Sequence, residues 1–433
     1  MTEHVITLLF AAFFIWVIYR WNFFEVPEFP RWYFAAVYLL KFLAGITLGI
    51  LFIKYFNGGD TYTYFENACR LHELALSNPT AFLKVMAGSN AAELQPFYNS
   101  LGLWKSYELF DFDAQTIIRI NALIRFVSFG IYEVHVLFFS FFSLLGTMAF
   151  YRMMRRAAWH NHRLLFTGLF LFPSLMFWSS GILKEGILIL AMGIFFMNVY
   201  LLLRFGNSFR SSYMFMLIAM FLMLMVKTYV LILLIPGVAA WIWAEKTGRR
   251  HTLIKFAITH AVYFLLLFHL HYLIPEINMV KILYDKQYHS IVFADYMQSR
   301  SIIHPPVIEP SVSSILMRMP AAWWSTFTQP LIVNAHTPFA WLSAAENLLL
   351  IACMIIAVVF SRKVPQHAVP LAMLSVFFVF MFYVLVGFTA TTAGSLVRFK
   401  IPAYPFLFFL LTLMFDKNKL FRFSKRKAEK QNF

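Results

Sequence analysis

Residues 34–67 read FAAVYLLKFLAGITLGILFIKYFNGGDTYTYFEN. Up to Ile53 the only charged side chain is Lys41. Wound as a helix, the stretch can cross a hydrocarbon core of about 30 Å with its backbone hydrogen bonds satisfied internally. Asn57-Gly58-Gly59 then supplies a turn, and Asp60 presents a carboxylate at the exit, followed by Tyr62, Tyr64 and Glu66. Similar apolar runs recur near 4–20, 132–151, 164–178, 184–203, 213–227, 229–244, 252–273, 340–360, 368–388 and 401–415. With 34–56 they predict about eleven spans.

The composition agrees. Of 433 residues, 61% are hydrophobic and 13% charged, whereas soluble domains run near 45–50% apolar and about 25% charged. The expected fold is an all-α integral membrane protein with two long extracytoplasmic loops carrying surface-lying helices. The N-terminal run lacks a basic region and a small-residue cleavage site, so it reads as a retained span and not a signal peptide. The expected organisation is an extra N-terminal helix with a cytoplasmic link over 1–33, a transmembrane core over 34–415, and a basic cytoplasmic tail over 416–433.

The net charge of +16 does not point to nucleic acid, because most Lys and Arg lie in short connections. The segments 151–163, 204–212, 245–251, 361–367 and the tail are basic, which under the eleven-span reading places all five in the cytoplasm, with the N-terminus outside and the C-terminus inside. The expected location is a bacterial inner membrane. Two long segments then face outward: 57–131, rich in acids, and 274–339, rich in proline. Within the first, 61–76 and 115–130 have amphipathic spacing and read as helices along the membrane surface.

A carboxylate at this boundary can serve as a general base, since partial desolvation strengthens it. A helix N-cap is the equally weighted structural role for Asp60. Lys184 and Glu185 follow Pro173, Trp178, Ser179, Ser180 and Gly181 at an expected outer turn, where ionisable side chains are paired, functional or plain anchors. Arg398 and Lys400 precede Pro402 and Pro405, and two cations there suit an anionic group. Lys54, Lys227 and Arg300 are further outward cations, read first as snorkelling or solvated charges. His269 and His271 are two apart and do not share a helix face, so no metal site is assigned. Cys69 and Cys353 support neither a disulfide framework nor a cysteine metal site. There is no nucleotide loop, nucleophile elbow or HExxH.

Four of these features resemble the polytopic glycosyltransferases of the C superfold, the group that includes protein O-mannosyltransferases and the aminoarabinose transferase of lipid A. Asp60 with Tyr62 and Tyr64 looks like the acidic start of that family's first outer loop. Gln95-Pro96-Phe97-Tyr98 resembles its Pro-Pro-Leu-Tyr-like patch. Pro173, Ser179 and Glu185 match the spacing of a proline, a serine and an acidic residue in its second outer turn, with Glu where the family usually has Asp. Arg398-Phe399-Lys400-Ile401-Pro402, then Pro405, is similar to its Arg-Tyr-x-x-Pro-x-x-Pro entry into a late span. The resemblance covers most of 34–415. It departs in the lone Asp60, where many members have Asp-Glu, and in lacking a soluble outer domain after the last span.

The resemblance implies inverting transfer of one sugar from a polyprenyl-phosphate donor to an acceptor hydroxyl of a glycan, lipid or protein. Asp60 is then the expected base. A subset of Arg398, Lys400, Lys184 and Arg300 is expected to stabilise the departing phosphate. Glu185 would orient a sugar hydroxyl, the acceptor or Lys184, while Tyr62, Tyr64, Tyr98, Trp323 and Trp324 would stack on sugars. No cofactor is expected, and a divalent metal is left open. The alternatives are a polysaccharide polymerase or ligase of the Wzy type and a non-catalytic transporter or flippase.

Overall fold

The computed structural model describes residues 2–55, 58–89, 91–101, 113–206, 211–296, 298, 301–335 and 337–423. Regular structure among them is helical, save three isolated bridges. Nine helical segments there are long and apolar enough to cross a membrane. They are Thr2–Arg20, Arg31–Lys54, Tyr132–Met154, Lys184–Phe205, Ser211–Lys246, Thr252–Tyr272, Pro338–Val359, Gln366–Thr389 and Ala393–Met414. The chain is an all-α polytopic membrane protein.

Within Ser211–Lys246 the expected runs 213–227 and 229–244 are two helices that meet at a break at Lys227, whose φ of −153° and ψ of 82° leave the helical region. The break falls where hydropathy places a tight turn, and no glycine or proline separates the two halves there. The run 164–178 is not one helix. It is built of His162–Phe166, a π turn over Thr167–Leu171 and Pro173–Trp178. Pro173 lacks an N–H and drives Phe172 into extended backbone, which ends the first piece.

The chain forms two compact units, residues 1–153 with 170–231, and residues 154–169 with 232–433. The first unit is built around Tyr132–Met154, the most buried of its spans. Thr2–Arg20 buries Thr7, Ala11, Phe14 and Ile18, one helical face. Phe14 meets Phe141 at 4.7 Å and Phe138 edge-on at 4.9 Å. This first helix is therefore part of the unit's core, while Leu8, Leu9 and Trp16 stay exposed as lipid-facing groups. Small residues allow close helix approach. A Cβ on Gly193 would overlap the Gly146 carbonyl, and one on Gly45 would stand 2.6 Å from the Ser180 carbonyl.

The two amphipathic helices of the long segment span Asp60–Ser77 and Asp113–Ser128. They pack against each other. The second is tied to the span that follows it. Asn121 donates to the Ile117 carbonyl, so its Oδ1 accepts from His135 Nδ1 at 2.8 Å, and His135 Nε2 accepts from Ser128 at 2.7 Å.

In the second unit, Val312–Thr328 packs along Val369–Thr389. Gly387 admits the Ala322 carbonyl, and Thr326 donates to the Tyr383 carbonyl at 2.7 Å. Gln287 ties the segment Pro306–Ile308 to the Phe388 carbonyl. Three connections meet at one end of this unit: Asn161 donates to the Thr412 and Phe415 carbonyls, Arg362 N to Met414, and Asp416 N to Phe360. Parts of three basic segments predicted to share a side thus adjoin within the unit.

Candidate functional site

Asp60 is the first residue of the Asp60–Ser77 helix. The cap position is Gly59, whose φ of 150° a side chain rarely adopts, so the N-cap role read for Asp60 falls one residue earlier. Asp60 sits instead in the first turn, half-buried, where the helix dipole favours a carboxylate. Glu66 points to the exposed side.

The tyrosines after Asp60 are held differently from one another. Tyr62 stacks on Tyr132 with centroids 4.8 Å apart, and Tyr132 shares a 2.9 Å hydrogen bond with Thr61. Burial, with the Glu133 carboxylate adding to it, pushes the Tyr62 phenol up; the hydrogen bond with Tyr132 opposes them. Tyr64 is buried, and the Lys184 ammonium lies 5.7 Å from its ring centroid. Lys184 also pairs with Asp113 at 2.5 Å.

One residue further, Glu185 is fully buried and accepts from Lys227 Nζ at 2.9 Å. Tyr229 lies in electrostatic reach of Lys227, Glu185 and Asp113. Thr116, on the Asp113 helix, donates to the Met225 carbonyl at 3.1 Å, next to the break at Lys227. Four stretches of the first unit therefore converge on one cluster of two carboxylate–ammonium pairs and a phenol. Asp60 heads the helix that carries Tyr64 into it.

Three members of this cluster, Asp113, Lys227 and Tyr229, were not among the expected site residues. Asp113 opens an amphipathic helix and reads in sequence as an ordinary first-turn acid. Lys227, expected to snorkel, is instead a buried ion-pair partner; the available signal was a lone lysine in a long apolar run.

Tyr98 lies apart from this cluster. It is buried, its hydroxyl donates to the Ser89 carbonyl, and burial raises it against the opposing Arg119. Its hydroxyl ties the short Gln95–Ser100 helix back to Ser89, and its buried ring does not present a face for a sugar.

In the second unit, Arg398 is half-buried near the end of Ala393–Phe399, a helix opened by a capping box of Thr392 and Ser395. Lys400 was expected to meet a lipid phosphate. It is 1% exposed, and its ammonium donates to the Gln329 carbonyl at 2.7 Å and to Asn347 at 3.2 Å. That geometry makes it an internal tie. Ser301, His304, Ser325 and Gln329 line a cavity of about 270 Å³ beside this tie. Trp323 stacks on Phe327 and Trp324 is exposed. Arg300 lies outside the described residues, as does Asn57. Among the described residues, no three His, Cys, Asp or Glu side chains group to hold a metal.

Compared with protein-family models, curated proteins and solved structures, the chain matches none.

Proposed function

We propose that this chain is a membrane glycosyltransferase. It moves one sugar, with inversion, from a polyprenyl-phosphate donor to an acceptor hydroxyl on the extracytoplasmic face of a bacterial inner membrane. The N-terminus is outside and the C-terminus cytoplasmic. The observation that carries the proposal is the contact of Tyr64 with Lys184 at 5.7 Å. It joins two stretches, Asp60–Tyr64 and Pro173–Glu185, that the family resemblance singles out independently.

In this reading Asp60 takes the proton of the acceptor hydroxyl. The acceptor oxygen bonds to the anomeric carbon as the carbon–oxygen bond to phosphate breaks, and the electron pair leaves on the phosphate. Lys184 neutralises that charge after exchanging Asp113 for the phosphate. Glu185, fixed by Lys227, holds the start of the Lys184 helix in place. Arg398 enters through the resemblance as a second donor-phosphate cation.

The test is transfer from a panel of polyprenyl-phosphate hexoses and pentoses by the purified chain in vesicles. Asp60→Asn should lose about 100-fold or more in rate, the usual scale for a general base. A folded variant that transfers at the wild-type rate removes Asp60 as base.

A second reading, movement of a lipid-linked substrate without chemistry, is favoured by Lys41. This side chain lies near the middle of Arg31–Lys54, is fully buried, and donates to Ser143 and Ser179 at 2.9 and 2.8 Å. Ionisable groups at such depth mark pathways in carriers. Flipping of a fluorescent polyprenyl phosphate that is lost in Lys41→Met and retained in Asp60→Asn would select it.

A further inference from the structure

The helices Asp60–Ser77 and Asp113–Ser128 spend their amphipathic faces on each other. Tyr64, Ala68 and Leu71 of the first and Ile117, Ile118 and Ala122 of the second are all buried. The faces expected to lie on the membrane are thereby occupied.

A second apolar face is left over. Leu123, Phe126 and Val127, spaced i, i+3, i+4, line the outer side of the Asp113–Ser128 helix and are exposed. The Phe126 ring lies 6.1 Å from Phe82, whose neighbour Leu83 is 65% exposed. This brings the Pro79–Met86 helix into the same patch. Phe129 completes it at 77% exposure. Its φ of 54° is in the left-handed region. A bulky side chain there is disfavoured by its backbone and, in water, by its surroundings as well.

We propose that this patch, Leu83, Leu123, Phe126, Val127 and Phe129, seats in the boundary between headgroups and acyl chains of the bilayer that the chain crosses. Depth selects lipid as the occupant: Phe129 stands three residues before Tyr132, where a membrane span begins, so the patch lies at the level where that span leaves the hydrocarbon core. Polar Arg70 and Glu73 line a shallow groove with Ser77 and Ser100 and do not belong to the patch. Lipid insertion also accounts for a helix that is apolar on both sides at its C-terminal end and polar at its start.

Site-directed spin labelling tests this in vesicles of phosphatidylethanolamine and phosphatidylglycerol. With Cys69 and Cys353 changed to Ser, labels go on Leu83→Cys and Phe129→Cys, with Glu66→Cys and Arg70→Cys as exposed references. The patch labels should collide more with oxygen than with a water-soluble nickel chelate, and the references the reverse. Chelate access at 83 and 129 equal to the references overturns the proposal. So does protection from both reagents, which means a protein partner or second copy covers the patch. If the cysteine-free chain does not fold, a photoactivatable phospholipid on the unmodified chain gives the same answer. Adducts on 79–86 and 123–129 are expected, and their absence overturns the proposal.

Discussion

Lys227 and Glu185, separated by 42 positions in sequence, meet as an ion pair of 2.9 Å with the carboxylate fully buried. Glu185 belongs to the first turn of one span and Lys227 to the break in the next. The pair fixes where that break stands beside the start of the preceding helix.

Removing one partner should therefore cost much more than removing both. Glu185→Gln or Lys227→Met leaves a buried charge uncompensated, about 3–5 kcal/mol. The double variant Glu185→Leu with Lys227→Met should recover most of that loss. Thermal melts of the detergent-purified protein check the order.

The neighbouring pair behaves differently. Lys184 and Asp113 keep 15% and 26% of their side chains exposed, so breaking this pair costs less than breaking the fully buried one. Asp113→Asn should lower the melting temperature less than Glu185→Gln does. Under the proposed function it should also lower KM for a polyprenyl-phosphate sugar, because Lys184 no longer has to exchange a carboxylate for the donor. Steady-state kinetics beside a melt separates the two effects.

Gly387 lies against the Ala322 carbonyl and Gly193 against that of Gly146. Ala at either position must push packed backbones apart, at about 1–3 kcal/mol. Gly394, with open space around it, is the control, and Gly394→Ala should be nearly neutral in the same melts.

His72 stacks edge-on against Phe126 at 4.6 Å. Burial and the Arg125 guanidinium hold it below its ordinary value, with Glu73 opposing. The unfolded chain therefore binds the proton better than the folded one. The stabilisation is present above the ordinary histidine range near 6.5 and is lost as pH falls below it, until the folded form also protonates. His72→Phe should show a smaller drop in melting temperature between about pH 7.5 and 5 than the parent chain, because the other histidines cancel in the comparison.

Lys400 and Arg398, two residues apart, should separate by readout. Lys400→Met removes the ties to Gln329 and Asn347 and should lower the melting temperature. Arg398→Ala, under the proposed function, should raise KM for the donor.

Hydropathy made most spans legible, and the 3.6 periodicity made the helices over 61–76 and 115–130 legible to within a few residues. Both are local properties of the chain. The break between the runs 213–227 and 229–244 was legible in place, but not its form, a direct kink at Lys227 with no glycine or proline to mark it. The roles of the cations were not legible either. Lys400 and Arg398 look alike in sequence, and only the placement of Gln329 and Asn347 makes Lys400 an internal tie.

By itself the sequence determined that this chain lives in a membrane as helices, since so apolar a backbone has no other way to satisfy its hydrogen bonds. It also marked Asp60 as a carboxylate at a span's end. The tertiary structure alone decided which charges neutralise which: Asp113 with Lys184, Glu185 with Lys227. In a low-dielectric interior a charge must be paired by whatever element packs beside it, and that neighbour can be any distance away along the chain.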